Sequence, residues 1–160
     1  MKRKQIRPAL PNCPPAAAAS PAAELGFTAR VQLRFGTAGA VLAYRRALDE
    51  FLTGRGLVRS MNPLHMLVWS PNRNATPADQ AELLCWLSLA TSADEVQLSG
   101  LHTHVGLPSL RSREPLVHAQ LSEVRCHEVF AAYRMHAYGP TWVLDQFRQP
   151  TTHPSTTHQA

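Results

Sequence analysis

Residues 27–35 read Phe27-Thr28-Ala29-Arg30-Val31-Gln32-Leu33-Arg34-Phe35, apolar at every odd position and polar at every even one. Successive side chains of a strand point to opposite faces, so this two-residue period predicts a strand with one buried and one wet face. The buried row is Phe27, Ala29, Val31, Leu33 and Phe35; the wet row is Thr28, Arg30, Gln32 and Arg34. Two guanidinium groups therefore share one sheet surface. Such forks pair with phosphate oxygens, so the stretch bears on a partner as well as on the fold.

Upstream, residues 8–23 are dominated by Ala and Pro, including Pro8, Pro11, Pro14, Pro15 and Pro21. Proline cannot donate a ladder hydrogen bond and alanine buries little, so this segment reads as a linker. Downstream, Gly36 to Gly39 form a turn, and Val41, Tyr44, Leu48, Phe51 and Leu52 give residues 40–53 one apolar helical stripe. Arg45 with Asp49 and Arg46 with Glu50 lie four apart on its wet side. Short strands are expected at 57–60 and 65–69, separated by Asn62-Pro63. Thr76-Pro77-Ala78-Asp79 is a helix start: threonine caps, proline takes the first turn and the carboxylate suits the N-terminus. That helix carries Leu83, Leu84, Trp86 and Leu87 to about residue 90. A fourth strand at 95–99 turns Val96 and Leu98 inward.

The expected fold class is α/β of the α+β kind. Residues 24–100 form a ferredoxin-like β-α-β-β-α-β layer, with a four-stranded antiparallel sheet and two helices on one face. In that order the first and third strands are central. Residues 1–23 form a basic, Pro/Ala-rich flexible arm, and 101–149 a mainly helical C-terminal extension. In the extension a third helix is expected over 115–136, with Val117, Leu121, Val124 and Val129 or Phe130 inward. Gly139-Pro140 ends it, before an apolar cluster of Trp142, Val143, Leu144 and Phe147. Residues 150–160 lack core material and read as a disordered tail.

The net charge of +5 looks like a nucleic-acid signature until it is divided along the chain. Lys2, Arg3, Lys4 and Arg7 carry four positive charges before any acid; residues 24–100 hold seven Arg against seven acids, and 101–160 leave one net positive charge. The basicity is mostly an arm, able to find RNA electrostatically and order on it. Its plainer role is to solubilise. Cys13, Cys85 and Cys126 are odd in number and lack CxxC spacing, which fits reduced thiols in the cytoplasm. The Met-Lys-Arg-Lys start is followed by no apolar run long enough for a signal sequence, and no stretch approaches a membrane span.

Further motifs narrow the reading. Glu24-Leu25-Gly26-Phe27 enters the alternating strand, Asp49-Glu50-Phe51 lies in the first helix, and Thr76 starts a second helix that contains Trp86-Leu87. Asp94-Glu95-Val96 and Ser99 follow. In this order and at these separations, residues 24–100 resemble the YggL-type proteins that associate with the large ribosomal subunit. The resemblance implies a non-enzymatic factor whose partner is that subunit, through rRNA, ribosomal protein or both, acting in subunit assembly or translation tuning. It implies no catalytic residue, cofactor, small-molecule substrate or membrane. The family's basic start is denser and abuts the strand, whereas here a linker intervenes, and residues 101–160 lie outside the resemblance.

The candidate rRNA-binding residues are Lys2, Arg3, Lys4, Arg7, Arg30, Gln32 and Arg34. For the three on the strand the plain reading is a solvated face, or one covered by the extension. An RNA-reading sheet also uses stacking rings, which Trp69 or His65 could supply. His102 and His104, with Cys126, His127 or His118, suggest zinc, but their spacing matches no standard finger and no metal is expected. Asp49-Glu50 and Asp94-Glu95 lack a nucleophile or positioned base and read as solvated charge. The alternative function is a protein-interaction or regulatory module without RNA binding.

Overall fold

The computed structural model describes residues 25–103 and 116–149. In chain order these form β1 (Leu25–Leu33), α1 (Ala38–Gly54), β2 (Val58–Arg59), β3 (His65–Trp69), α2 (Pro77–Ala90), β4 (Ala93–Leu98), β5 (His102–Thr103), β6 (Val117–Gln120), α3 (Val124–Arg134) and α4 (Pro140–Gln146). The architecture is α+β: four helices with an open six-stranded sheet ordered β2-β3-β1-β4-β6, β5 also pairing with β1. Every pairing between these strands is antiparallel. β1 is central, with β3 on one side and β4 then β5 on the other. The arm 1–23 and the tail 150–160 lie outside the described residues.

Local chemistry explains the boundaries. Thr37 caps α1 by accepting the Ala40 N–H at 3.2 Å, so the helix begins at Ala38, two residues before the expected start. Gly56, at φ 68°, turns the chain after α1 in a conformation that costs other residues more. α2 opens with a full capping box: the Thr76 hydroxyl accepts the Asp79 N–H at 3.4 Å, and the Asp79 carboxylate accepts the Thr76 N–H at 2.9 Å. At Gly26 a Cβ would stand 2.7 Å from the Val68 carbonyl oxygen, so this crossing of β1 and β3 requires glycine.

Register sorts the sheet into two faces, because paired residues share a face. Phe27 opposes Val68, Ala29 opposes Met66 and Leu98, Val31 opposes Val96, and Val96 and Leu98 oppose Ala119 and Val117. All nine are buried. They join Tyr44, Leu48 and Leu52 of α1, Leu83, Leu84 and Leu87 of α2, Phe130 of α3 and Val143 of α4 in one apolar cluster. Residues 117–149 thus share the core with 25–103.

Several sequence expectations need correction. Phe35 lies beyond β1 and is 58% exposed, because β1 ends at Leu33 after a register shift against β4. Thr28, expected wet, is 7% exposed, its N–H bonded to the Ser99 hydroxyl at 2.8 Å. The helix expected over 115–136 is instead strand β6 followed by α3. Val117, Ala119 and Leu121 are all buried, a two-residue period, and Val124 is 71% exposed. The extension is therefore not mainly helical at its start: β6 satisfies the outer edge of β4, whose backbone groups would otherwise lack partners. The chain then returns beside β6, where the Phe147 carbonyl accepts the His118 N–H at 2.9 Å and the Leu116 carbonyl accepts the Gln149 N–H at 2.9 Å. Asp49 is bound by Arg59 of β2, at 2.7 and 3.1 Å, rather than by the expected Arg45. Among the described residues, no helix is long and apolar enough to cross a membrane.

Candidate nucleic-acid interface

The second sheet face carries the polar residues. Arg30 of β1 opposes His65 of β3 on one side and Gln97 of β4 on the other, and Gln97 opposes His118 of β6. The Gln149 side chain continues the row, its amide nitrogen 2.8 Å from His118 Nδ1. A second row runs Gln32, Glu95, Gln120. Nearer the other end of β1, Trp69 opposes Val58 and Gly26, and Gly26 opposes His102. The face thus grades from Trp69 at one end to a band of amides, imidazoles, one guanidinium and the Glu95 carboxylate.

The outer part of this band is bonded to itself. His118 Nε2 lies 2.7 Å from Glu95 Oε1, and the Gln97 amide donates to the same oxygen at 3.3 Å. A ring with its hydrogen on Nε2 satisfies both neighbours: Nε2–H donates to Glu95 while Nδ1 accepts from Gln149. The central part differs. Arg30 and Gln32 are exposed, and among the described residues Arg30 makes no ion pair, so its five donors remain open to a partner.

Of the sequence-derived candidates, the structure therefore brings Arg30 and Gln32 onto one face. Arg34 lies past the end of β1 and faces Asp94 at 3.9 Å, both well exposed, a pairing of little energetic weight. Lys2, Arg3, Lys4 and Arg7 lie outside the described residues. His65 and Trp69, the possible stacking rings, fall on the same face as Arg30, His65 directly opposite it. Gln97, Gln120 and Gln149 lie outside the sequence-derived candidates, and His118 entered only through the zinc reading, although the alternation of Val117-His118-Ala119-Gln120-Leu121 carries the signal.

The metal reading gathers no support from geometry. Among the described residues there is no group of three or more His, Cys, Asp or Glu placed to hold an ion, and His104 lies outside them. Cys126 donates its thiol hydrogen to the Gln120 carbonyl at 2.9 Å. Burial, with Glu123 nearby, pushes that thiol up to about 11, away from the thiolate a metal needs. His102 donates from Nδ1 to the Thr103 carbonyl at 3.0 Å, and His127 is exposed.

One charged cluster is built for stability. The Asp79 carboxylate, 1% exposed, takes a two-pronged contact from Arg73 at 2.6 and 2.8 Å and a third bond from Arg55 at 3.2 Å. Burial opposes its charge, but the bonds from Arg73, the Thr76 backbone and Arg55 outweigh this and hold the carboxyl below its ordinary range. It ties the end of α1 to the start of α2. Compared with protein-family models, curated proteins and solved structures, the chain matches none.

Proposed function

We propose that this chain is a non-enzymatic, cytoplasmic RNA-binding factor of the large ribosomal subunit, built on a ferredoxin-like layer, acting in ribosome biogenesis or translation. The observation that carries the reading is Arg30: an exposed guanidinium at mid-sheet with no ion pair among the described residues, beside Gln32 and opposite His65. Such a surface contacts phosphate and stacks bases without sequence readout. The order β2-β3-β1-β4 supports the ferredoxin-like reading, with β6 as an added edge strand. The resemblance to YggL-type proteins gains coherence from packing. Phe51 and Trp86, from two of its separate motifs, stack at 4.7 Å between ring centres, and Ser99 bonds the β1 backbone at Thr28. These motif residues build the scaffold; the ribosomal partner rests on the resemblance itself.

Sucrose-gradient sedimentation tests the proposal. The intact chain is expected with large subunits at low salt and free at high salt, and both Arg30→Glu and deletion of residues 1–7 should weaken co-migration. A chain that stays at the top of the gradient under all salts refutes it. A second reading, protein binding without RNA, is favoured by an exposed apolar patch: Met135 is 80% exposed, and Tyr138, itself exposed, stacks on Trp142 at 4.0 Å. Co-migration that survives high salt and Arg30→Glu would support it.

A further inference from the structure

Where the polar row meets the outer rim of the sheet there is a cavity of about 240 Å³. His118, Gln120, Glu123, Arg125, Arg148 and Gln149 line it. We propose that this cavity seats one phosphodiester of a single-stranded RNA that crosses the open sheet face from β3. The inference rests on the RNA reading above and gives the strand a path and an end point.

Three features carry it. Both guanidiniums are held at one nitrogen: Arg125 Nη2 donates to the Gln146 carbonyl at 2.8 Å, and Arg148 Nη2 forms an ion pair with Asp145 Oδ1 at 2.9 Å. Each guanidinium has five donors, so most remain for an oxyanion. The Arg148–Asp145 pair is half exposed on both sides and is weak enough to yield to a phosphate. Charge then sets the class of ligand. In the lining, two guanidiniums stand against the Glu123 carboxylate, an excess of one positive charge once Asp145, just outside it, is displaced from Arg148. That matches the single negative charge of a phosphodiester better than the dianion of a terminal phosphate. Size agrees, since a cavity below about 300 Å³ is smaller than most small-molecule pockets and suits one group of a polymer.

The path is continuous. His65, Arg30, Gln97, His118 and Gln149 span four strand intervals, about 19 Å at the usual strand spacing. A nucleic-acid strand laid across them would meet an imidazole and Arg30 at mid-sheet, amides and His118 on the way out, and the Arg125–Arg148 cavity at the rim.

The test uses the full chain and a fluorescently labelled twelve-residue oligouridylate, with binding followed by anisotropy across a salt series. Losing one phosphate contact lowers the slope of log affinity against log salt by about 0.7. The double variant Arg125→Ala/Arg148→Ala should show that drop and bind about tenfold or more weakly, as expected for lost charge-assisted bonds. Arg125→Lys/Arg148→Lys should regain part of it. Circular dichroism confirms that each variant is folded. Affinity and slope unchanged in the double variant, while Arg30→Ala weakens binding, overturn the phosphate seat and leave the RNA reading standing. No binding by the unaltered chain overturns both. Uridine monophosphate binding more tightly than the oligonucleotide would overturn the polymer assignment in favour of a free phosphate ligand.

Discussion

Replacing Asp79 by alanine removes the one carboxylate shared by Arg55, Arg73 and the first turn of α2. Breaking a buried ion pair by deleting one partner costs about 3–5 kcal/mol. Here the figure is discounted, because the Arg55 and Arg73 side chains are 30% and 42% exposed and can regain water. Loss of the cap adds about 0.5–2 kcal/mol. Together these predict a loss of roughly 2–4 kcal/mol in urea unfolding, read as a lower midpoint at unchanged slope. The pH dependence has a definite sign. The folded-state carboxyl sits below its ordinary value, so its contribution is fully present above about pH 4, where the unfolded chain is ionised. It disappears as pH falls through the folded-state value. Unaltered protein and Asp79→Ala should therefore differ most near neutrality and converge in acid. A difference below about 0.5 kcal/mol at pH 7, the level of an ordinary surface change, would refute the assignment.

Three further outcomes follow from the packing. Gly26→Ala places a methyl 2.7 Å from the Val68 carbonyl and 3.2 Å from Trp69 Cβ, so thermal unfolding should show a loss of about 1–3 kcal/mol; an unchanged melting temperature would contradict the close crossing. Phe130→Ala empties a fully buried site beside Phe147 and should cost about 3–5 kcal/mol, with β4 amides losing hydrogen-exchange protection along with β6. Protection lost only within 117–149 would contradict a shared core. Cys126 should react with a disulfide reagent at pH 8 far more slowly in the folded than in the urea-unfolded protein, because it is buried and its thiol is raised to about 11. Equal rates would refute that placement.

How much was legible in the sequence depended on whether the signal was local. β3 spans the expected 65–69, and α2 opens on the expected Thr76 cap, because period and capping chemistry are carried by neighbouring residues. β6 was misread because Val117, Leu121 and Val124 also fit a helical spacing; only pairing with the free edge of β4 decides between the two periods. Thr28 was misjudged because alternation assigns a face without saying what covers it. The site was half legible. Arg30 and Gln32 follow from parity along β1, whereas the contacts joining His118 to Glu95 and Gln149 link residues 23 and 31 positions apart. The role of Asp79 was visible only as a helix start; its arginines arrive from the end of α1 and from the loop before α2.

The two rims of the sheet are finished differently, with one consequence for how copies of the chain behave at high concentration. On one side the return segment 147–149 lies against β6; on the other, β2 contributes just two residues, one of them a charged arginine, and Pro63 follows shortly. Among the described residues, neither rim offers a long run of free amide and carbonyl groups on which a second molecule could polymerise. Ribbon-like self-assembly is thereby discouraged by architecture alone, which leaves side chains to choose this protein's companions.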